Sequence, residues 1–481
     1  SQESPSTSAS ADAEDSLRLR LEDSPNNTQL LRQLAANLVS QRKFSEAIRH
    51  LRGAIAIRPD DVQALNALGN ALVNAKQPEE AISFLQHALR LLPGDVRLHS
   101  NLGLAYADCG RFEQAEQSFH AALALDTMSV ASHNNLACLH IMLGRHREAL
   151  TCLEIALILD PKHLGARRNR ALAHLALGEF ELGWPDYDWC AFGVAQPPDP
   201  YPRWNGQPIS GKRILLTANQ GLGDTLHFIR YAPMLKSLGT HTLLEAPGPL
   251  LEVLSGAPGI DEIIPKGDSI PAADLSVPVM ALARLFNTTL ETIPASVPYL
   301  AASPDLIAAW RERLAPLLHH PRKFLVGLCW QGNPHHQWDQ FRSLPLSLLE
   351  ALTQIPNVQF VSLQRGPGIE QIPSFQALTN NALTVPTSGS QSSPRDLADS
   401  AAIMSLLDLI ITVDTATAHL AGALARPTWV LLSQTADWRW MTGRPDSPWY
   451  PSLRLFRQKN AGDWTYPIDQ MAGRLRMLGG K

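Results

Sequence analysis

Three short stretches of this chain hold residue types that can do chemistry. The first is Gly221-Leu222-Gly223-Asp224, which follows the apolar run Arg213–Ala218. Its glycines let backbone approach a ligand closely. Asp224 stands where a helix opens, so its carboxylate suits either a helix cap or a general base. The second is Trp330-Gln331-Gly332-Asn333-Pro334-His335-His336, followed by Arg342. Gly332 and Asn333 suit a ligand-facing turn, and Arg342 offers the planar fork of donors that matches a phosphate. His335 and His336 have no third ligand at useful spacing, so the loop is expected to face solvent and no metal is expected. The third is Asp414-Thr415-Ala416-Thr417-Ala418-His419, after the β-branched run Leu409–Val413. Free N–H groups and partial positive charge at a helix start make an anion site, and His419, one turn in, adds a donor. Asp414 or Thr415 acting only as an N-cap is the plainer reading.

The elements that must carry these loops follow from periodicity. From Gly211 onward, short apolar runs at 213–218, 242–245, 262–264 and 275–277 alternate with helical segments such as Thr225–Leu238. After a helix near Pro304–Leu318 the cycle restarts, with strands expected at 324–330, 358–364, 409–414 and 428–433. Two such series predict two doubly wound parallel sheets facing each other across a cleft, with ligands beyond the carboxyl ends of the strands. A third glycine is missing at Leu226, which argues against a dinucleotide fingerprint. Trp438 and Trp440 either stack on a base or fill the core.

The preceding part of the chain repeats itself every 34 residues. Ala47, Ala81, Ala115 and Ala149 keep that spacing, as do Leu51, Leu85, Phe119 and Leu153, and again Ala54, Ala88, Ala122 and Ala156. Pro59, Pro93 and Pro161 close three units, with Thr127 in the remaining one. Small residues let paired helices approach, large ones bury against the next unit, and proline ends the second helix. The pattern resembles the tetratricopeptide repeat. A concave face of such repeats binds extended peptides or partner proteins. Asn66, Asn70, Asn101, Asn134 and Asn135 lie on first helices, where they either form a ladder of amides that holds a peptide backbone or are solvated positions or interhelical caps. A fifth unit departs from the pattern at Gly183-Trp184-Pro185, so Leu177–Trp189 reads as a capping helix in which Trp184, Tyr187 and Trp189 join the repeats to the next domain.

Composition narrows the classes. A chain of 481 residues with 45% hydrophobic content predicts more than one packed core. A net charge of −4, from 41 basic and 45 acidic residues, gives no sign of nucleic acid or a membrane surface as partner. Five unpatterned cysteines fit a reducing compartment, and no apolar run reaches the ~20 residues that span a bilayer, so a cytoplasmic location is expected. Residues 1–24, rich in Ser, Ala, Asp and Glu, read as a solvated, disordered leader.

From about residue 180 to 475 the chain resembles bacterial glycosyltransferases that join tetratricopeptide repeats to a two-lobed GT-B domain. The resemblance lies in GLGDTLHFIRYAP (Gly221–Pro233), GLCWQGNP (Gly327–Pro334), FRSLP (Phe341–Pro345), VDTATAHLAGAL (Val413–Leu424), DWRW (Asp437–Trp440) and SPWYPSLRLFRQ (Ser447–Gln458). The loops are similar to those of ADP-heptose:lipopolysaccharide heptosyltransferases, and the overall plan is similar to that of O-linked N-acetylglucosamine transferases. The resemblance implies an inverting, metal-independent transfer of a sugar from a nucleotide-sugar donor to a hydroxyl, with no cofactor. It makes Asp224 the base, Arg342 the phosphate-stabilising cation (the heptosyltransferases have Lys there), and Asp414, Thr415 and His419 the cradle of the diphosphate. Gly221, Gly223, Gly332, Asn333 and Ala416 complete the expected donor-binding set. The expected acceptor is Ser or Thr of a protein, flagellin or an adhesin for example, presented by the repeats, through which the chain could also self-associate. A lipopolysaccharide or other glycan acceptor, and an interaction scaffold with an inactive transferase domain, are the alternatives. The expected layout is a leader at 1–24, the repeat solenoid at 25–190, a Pro-rich linker at 191–210, and GT-B lobes at 211–320 (acceptor side) and 321–481 (nucleotide-sugar side).

Overall fold

The structure is a computed structural model that describes residues 5–192, 201–218, 220–318, 323–336, 339–386 and 396–479. It divides into two compact units, Ser1–Arg170 and Ala171–Lys481.

The first unit is a solenoid of antiparallel helices: α1 (Pro5–Asp23), α2 (Thr28–Ser40), α3 (Phe44–Ile57), α4 (Val62–Asn74), α5 (Pro78–Leu91), α6 (Val96–Asp108), α7 (Phe112–Leu125), α8 (Val130–Met142), α9 (His146–Leu159) and the start of α10 (Leu164–Ala176). Every alanine and large apolar anchor of the 34-residue pattern is fully enclosed. The period also sets the helix ends. Asn27, Asp61, Asp95 and Ser129 each cap a first helix through a side-chain oxygen, and His163 Nδ1 takes the same place by accepting from Ala166 N–H at 3.0 Å. Arg42, Lys76, Gly110, Gly144 and Gly178 all turn the chain in the left-handed region before the second helix. The expected disordered leader is instead largely helical, as α1. Its Leu17 and Leu21 pack on the first repeat, and buried Glu14 accepts from Arg18, Gln41 and Lys43 at 2.6, 2.8 and 2.9 Å. Two leucines one turn apart are enough to seat a helix that the polar composition conceals. The asparagines pair with each other: Asn101 Nδ2 donates to Asn66 Oδ1 (2.7 Å) and Asn169 Nδ2 to Asn134 Oδ1 (2.9 Å).

The second unit begins with the end of α10 and α11 (Phe180–Phe192), whose Trp184 Nε1 donates to the Thr288 carbonyl at 2.8 Å. Phe180, Trp184 and Tyr187 belong to the buried core of this unit, edge-on to Trp438. The Trp189 side chain and residues 193–200, the centre of the expected linker, lie outside the described residues. Of the linker's remainder, Trp204 is buried and its backbone N–H donates to the Ser276 carbonyl at 2.9 Å.

Two wholly parallel sheets follow. The first contains β1 (Arg213–Thr217), β2 (His241–Ala246), β3 (Glu262–Pro265) and β4 (Leu275–Pro278) in the order β3-β2-β1-β4. The second contains β5 (Phe324–Cys329), β6 (Val358–Ser362), β7 (Leu383–Thr384), β8 (Leu409–Val413), β9 (Thr428–Leu432) and β10 (Leu453–Arg457) in the order β10-β9-β8-β5-β6-β7. Strands β7 and β10 are additions to the expected set, one too short and the other too charged to stand out. The second order is doubly wound: the chain runs outward from β5, then returns to its other side at β8. The helix expected over 225–238 instead starts at Leu222 as α12 (Leu222–Phe228), becomes a 3-10 turn at Ile229–Tyr231, and resumes at Ala232–Ser237. Pro233 cannot donate to the Ile229 carbonyl, which interrupts the ladder there.

Two glycines in the solenoid test the packing rule. A Cβ on Gly103 would lie 2.5 Å from the enclosed Phe119 ring, whereas one on Gly53, within α3, would meet nothing within 4 Å. Gly103→Ala is expected to destabilise by about 1–3 kcal/mol through overpacking. Gly53→Ala is expected to stabilise by about 0.5–1 kcal/mol through helix propensity. Thermal melts followed by circular dichroism should move in opposite directions; parallel shifts would refute the packing account.

Candidate functional site

The three chemistry-bearing loops leave the carboxyl ends of β1, β5 and β8. Each lies at a point where the strand order of its sheet reverses, between β1 and β4 in one and between β5 and β8 in the other. Parallel sheets bind ligands at such points, because the diverging connections leave a crevice there. At the first loop, Gly221 caps α12 and its N–H donates to Asp224 Oδ2 at 3.0 Å. A Cβ on Gly223 would stand 2.9 Å from His419 Cδ2 and 3.4 Å from Ala416 Cα, so α12 rests on the start of the Ala416–Ala423 helix. Glycine at 223 is what permits that approach.

Asp224 Oδ1 accepts from Arg439 Nη2 at 2.6 Å, and Arg439 Nη1 donates to Asp437 Oδ1 at 2.8 Å. The Arg439 side chain is 6% exposed and lies against the Phe228 and Trp438 rings. Although burial opposes its charge, the two carboxylates more than offset that, and its pKa is raised. Arg342 is anchored through Nε, which donates to buried Asp339 at 3.0 Å. Its Nη groups have no partner among the described residues. A Cβ on Gly332 would meet Arg342 Nη2 at 2.7 Å, so the turn after β5 lies directly over the guanidinium. Asn333 is not gathered in: its Oδ1 accepts from His335 N–H at 3.0 Å, which closes a local turn.

Thr415, rather than Asp414, caps the Ala416–Ala423 helix, its hydroxyl accepting from Thr417 N–H at 3.3 Å. Asp414 is buried just before the cap. Burial raises its carboxyl to about 6, the Asp437 carboxylate adds to the rise, and Arg342, Trp440 and Arg439 oppose it. His419 stacks on Trp440 at 5.2 Å, and its Nδ1 lies 3.0 Å from the Tyr450 hydroxyl. Burial first, and then the Arg439, Arg230 and Arg342 charges, hold His419 well below the ordinary imidazole range. Asp224, Asp414, His419 and Arg342 thus share one charged neighbourhood centred on Arg439 and Asp437. Among the described residues no group of three His, Cys, Asp or Glu could hold a metal ion.

Arg439, Asp437, Tyr450, His227 and Arg230 are absent from the sequence-derived site. Arg439 sits inside the DWRW stretch, between two tryptophans, and nothing in that local sequence marks its carboxylate partner. Arg230 is buried without a carboxylate partner among the described residues. It donates instead to the His227 and Trp449 carbonyls, both at 2.7 Å, and to the Tyr299 hydroxyl at 3.1 Å. No spacing rule marks an arginine held by carbonyls and rings.

The geometry defines a protein of tetratricopeptide repeats followed by an α/β unit of parallel sheets. Residues 38–100, 72–137 and 130–163 match the tetratricopeptide repeat family. The chain is 28% identical over 292 residues to Protein FlbA of Caulobacter vibrioides, an alignment covering 57% of this chain and 48% of FlbA. It therefore spans about half the length of that curated relative. Among solved structures, a thermophilic repeat protein from Thermus thermophilus is 28% identical, with 35% of this chain and 93% of that one covered and a TM-score of 0.33. MamA of Desulfovibrio magneticus RS-1 is 21% identical, with 32% of this chain and 87% of that one covered and a TM-score of 0.29. No helix among the described residues is long and apolar enough to cross a membrane.

Asp414 gives the site a pH signature. With its native pKa raised to about 6, the folded state holds a proton that the unfolded state has already lost between about pH 4 and pH 6. Stability therefore falls as pH climbs through that window, by on the order of 3 kcal/mol once the group is fully ionised. Asp414→Asn, which does not titrate, is expected to gain on the wild type between pH 4.5 and 7. Melting temperatures of both proteins at the two pH values check this, and a constant difference would refute it.

Proposed function

We propose that the second unit is a GT-B glycosyltransferase which moves a sugar from a nucleotide-sugar donor to a hydroxyl with inversion, and that it acts in the cytoplasm. The observation that carries this reading is the gathering of Asp224, Arg342, Asp414 and His419 on loops from two separate parallel sheets. In this reading the part that carries β1–β4 presents the acceptor and the part that carries β5–β10 holds the donor. Departure of a nucleoside diphosphate builds negative charge. The uncommitted Nη groups of Arg342, the N–H groups before Thr417 and His419 are the donors that would stabilise it, without need of a metal. Asp224 is the base for the acceptor hydroxyl, with lone pairs left beyond those used by Gly221 and Arg439. The acceptor proposed is Ser or Thr of a protein, such as flagellin or an adhesin, bound by the solenoid. A lipopolysaccharide or other glycan is the alternative acceptor.

One observation favours a second reading, an interaction scaffold with an inactive transferase domain. Both oxygens of Asp224 are already engaged, one of them by a buried guanidinium. Thermal stabilisation by UDP, ADP, GDP, TDP and CMP separates the two. A ligand at 100 times its dissociation constant adds about 2.7 kcal/mol, so one member of the panel is expected to raise the melting temperature clearly. No shift with any of them would favour the scaffold. With the donor nucleotide known, His419→Ala and Asp224→Ala are each expected to lower turnover on the order of a hundredfold or more, with Asp224→Ala also losing stability because buried Arg439 keeps only one carboxylate partner. Near wild-type turnover of Asp224→Ala would refute its role as base.

A further inference from the structure

Behind the donor-binding loops lies a closed set of hydrogen-bonding groups that the reaction does not itself need. The Tyr450 hydroxyl is 3.0 Å from Nδ1 of His419 and 3.0 Å from Nδ1 of His227. Tyr299 supplies no proton to this set at normal length: its hydroxyl donates to the Leu226 carbonyl at 2.8 Å and stands 3.4 Å from Tyr450. Arg230 Nη2 in turn donates to Tyr299. Tyr450 therefore shares its one proton between two imidazoles, both of which burial holds neutral. At equal distances, one Nδ1 must accept from the hydroxyl and the other must carry a proton and donate to it. Two protonated Nδ1 atoms would drive the tyrosine proton into the 3.4 Å contact, beyond normal O–H···O length.

The surroundings decide which imidazole is which. His227 is fully enclosed, and its Nε2 has no partner among the described residues. A proton there would be a buried N–H without an acceptor, which costs more than a bare lone pair. His227 therefore carries its proton on Nδ1 and donates to Tyr450. Tyr450 then donates to His419 Nδ1, which leaves the proton of His419 on Nε2. The Cδ2–Nε2 edge of His419 is the edge beside Gly223, at the start of both loop helices, and Nε2 has no partner among the described residues.

We propose that Tyr450 and His227 are positioning residues that fix His419 as its Nε2–H form, an uncharged donor aimed at an anionic oxygen of the nucleoside diphosphate. The ligand half of this inference rests on the proposed function; the tautomer half does not. Imidazole nitrogen shifts of nitrogen-15-labelled wild type, assigned with His419→Gln, are expected to show a protonated Nε2 at His419 and a protonated Nδ1 at His227. The reverse pattern overturns the inference. Inorganic pyrophosphate serves as the probe for the anion site. Tyr450→Phe keeps the ring that Gly422 packs against, with a Gly422 Cβ position only 2.4 Å from it. That variant is expected to mix the His419 tautomers and to weaken pyrophosphate binding about tenfold, and also to lower the melting temperature because the buried His227 Nδ1–H loses its acceptor. Wild-type affinity with a retained Nε2–H in Tyr450→Phe would overturn the positioning role. Failure of the wild type to bind pyrophosphate would overturn the donor-site reading and the ligand named here, whereas the reverse tautomers in a protein that binds pyrophosphate would overturn this inference alone.

Discussion

The loops of the α/β unit depend on one buried cation. Arg439 lies among aromatic rings with almost no access to water, and a guanidinium there is tolerable only because Asp224 and Asp437 both reach it. Removing one partner from such an arrangement leaves an uncompensated charge and costs roughly 3–5 kcal/mol. The constraint fixes geometry as well as energy. Asp224 belongs to the first turn of α12, after β1, and Arg439 to the turn that follows β9. Their 2.6 Å contact ties together loops that are more than two hundred residues apart in sequence. Asp414 and His419 both feel the charges of this cluster, so their electrostatics depend on how it closes.

Around that cation the site divides into committed and open groups. Asp339 holds Arg342 by one nitrogen and leaves its fork free, while Tyr450 holds His419 by one nitrogen and leaves the other. In both cases the inner end of the side chain is pinned and the outer end has no partner among the described residues. That division costs conformational entropy during folding rather than during binding, which is how a preorganised anion site gains affinity. The aromatic packing of Trp440, Trp449 and Tyr450 supplies the enclosure that keeps the imidazoles neutral.

Periodic features were the most legible in the sequence. The 34-residue spacing placed the solenoid anchors, and the alternation of apolar runs placed eight of the ten strands, because both patterns repeat or stand out locally. The Gly223 and Thr415 turns were legible because small residues at strand ends have few other uses. What escaped was non-local. Arg439, Tyr450 and His227 lie far from their partners along the chain, and an arginine between two tryptophans carries no sign of the carboxylate it will meet. Helix α1 escaped for the opposite reason, since only two of its three leucines pack and the stretch around them is polar, which is too faint a signal. Asp414 could be read as either chemistry or scaffold, and its burial behind the Thr415 cap was a tertiary fact.

The coincidence of three periods in the solenoid has a consequence for how this chain can vary. Cap residues at 27, 61, 95, 129 and 163 share one spacing with the left-handed turns at 42, 76, 110, 144 and 178, and with the alanine anchors between them. Each unit therefore begins, turns and packs by the same rules, irrespective of its neighbours' remaining residues. A duplicated or deleted block of 34 residues would restore every junction it interrupts. The solenoid is in effect a ruler graduated in whole units, whose length can drift between relatives while the faces at its two ends stay the same.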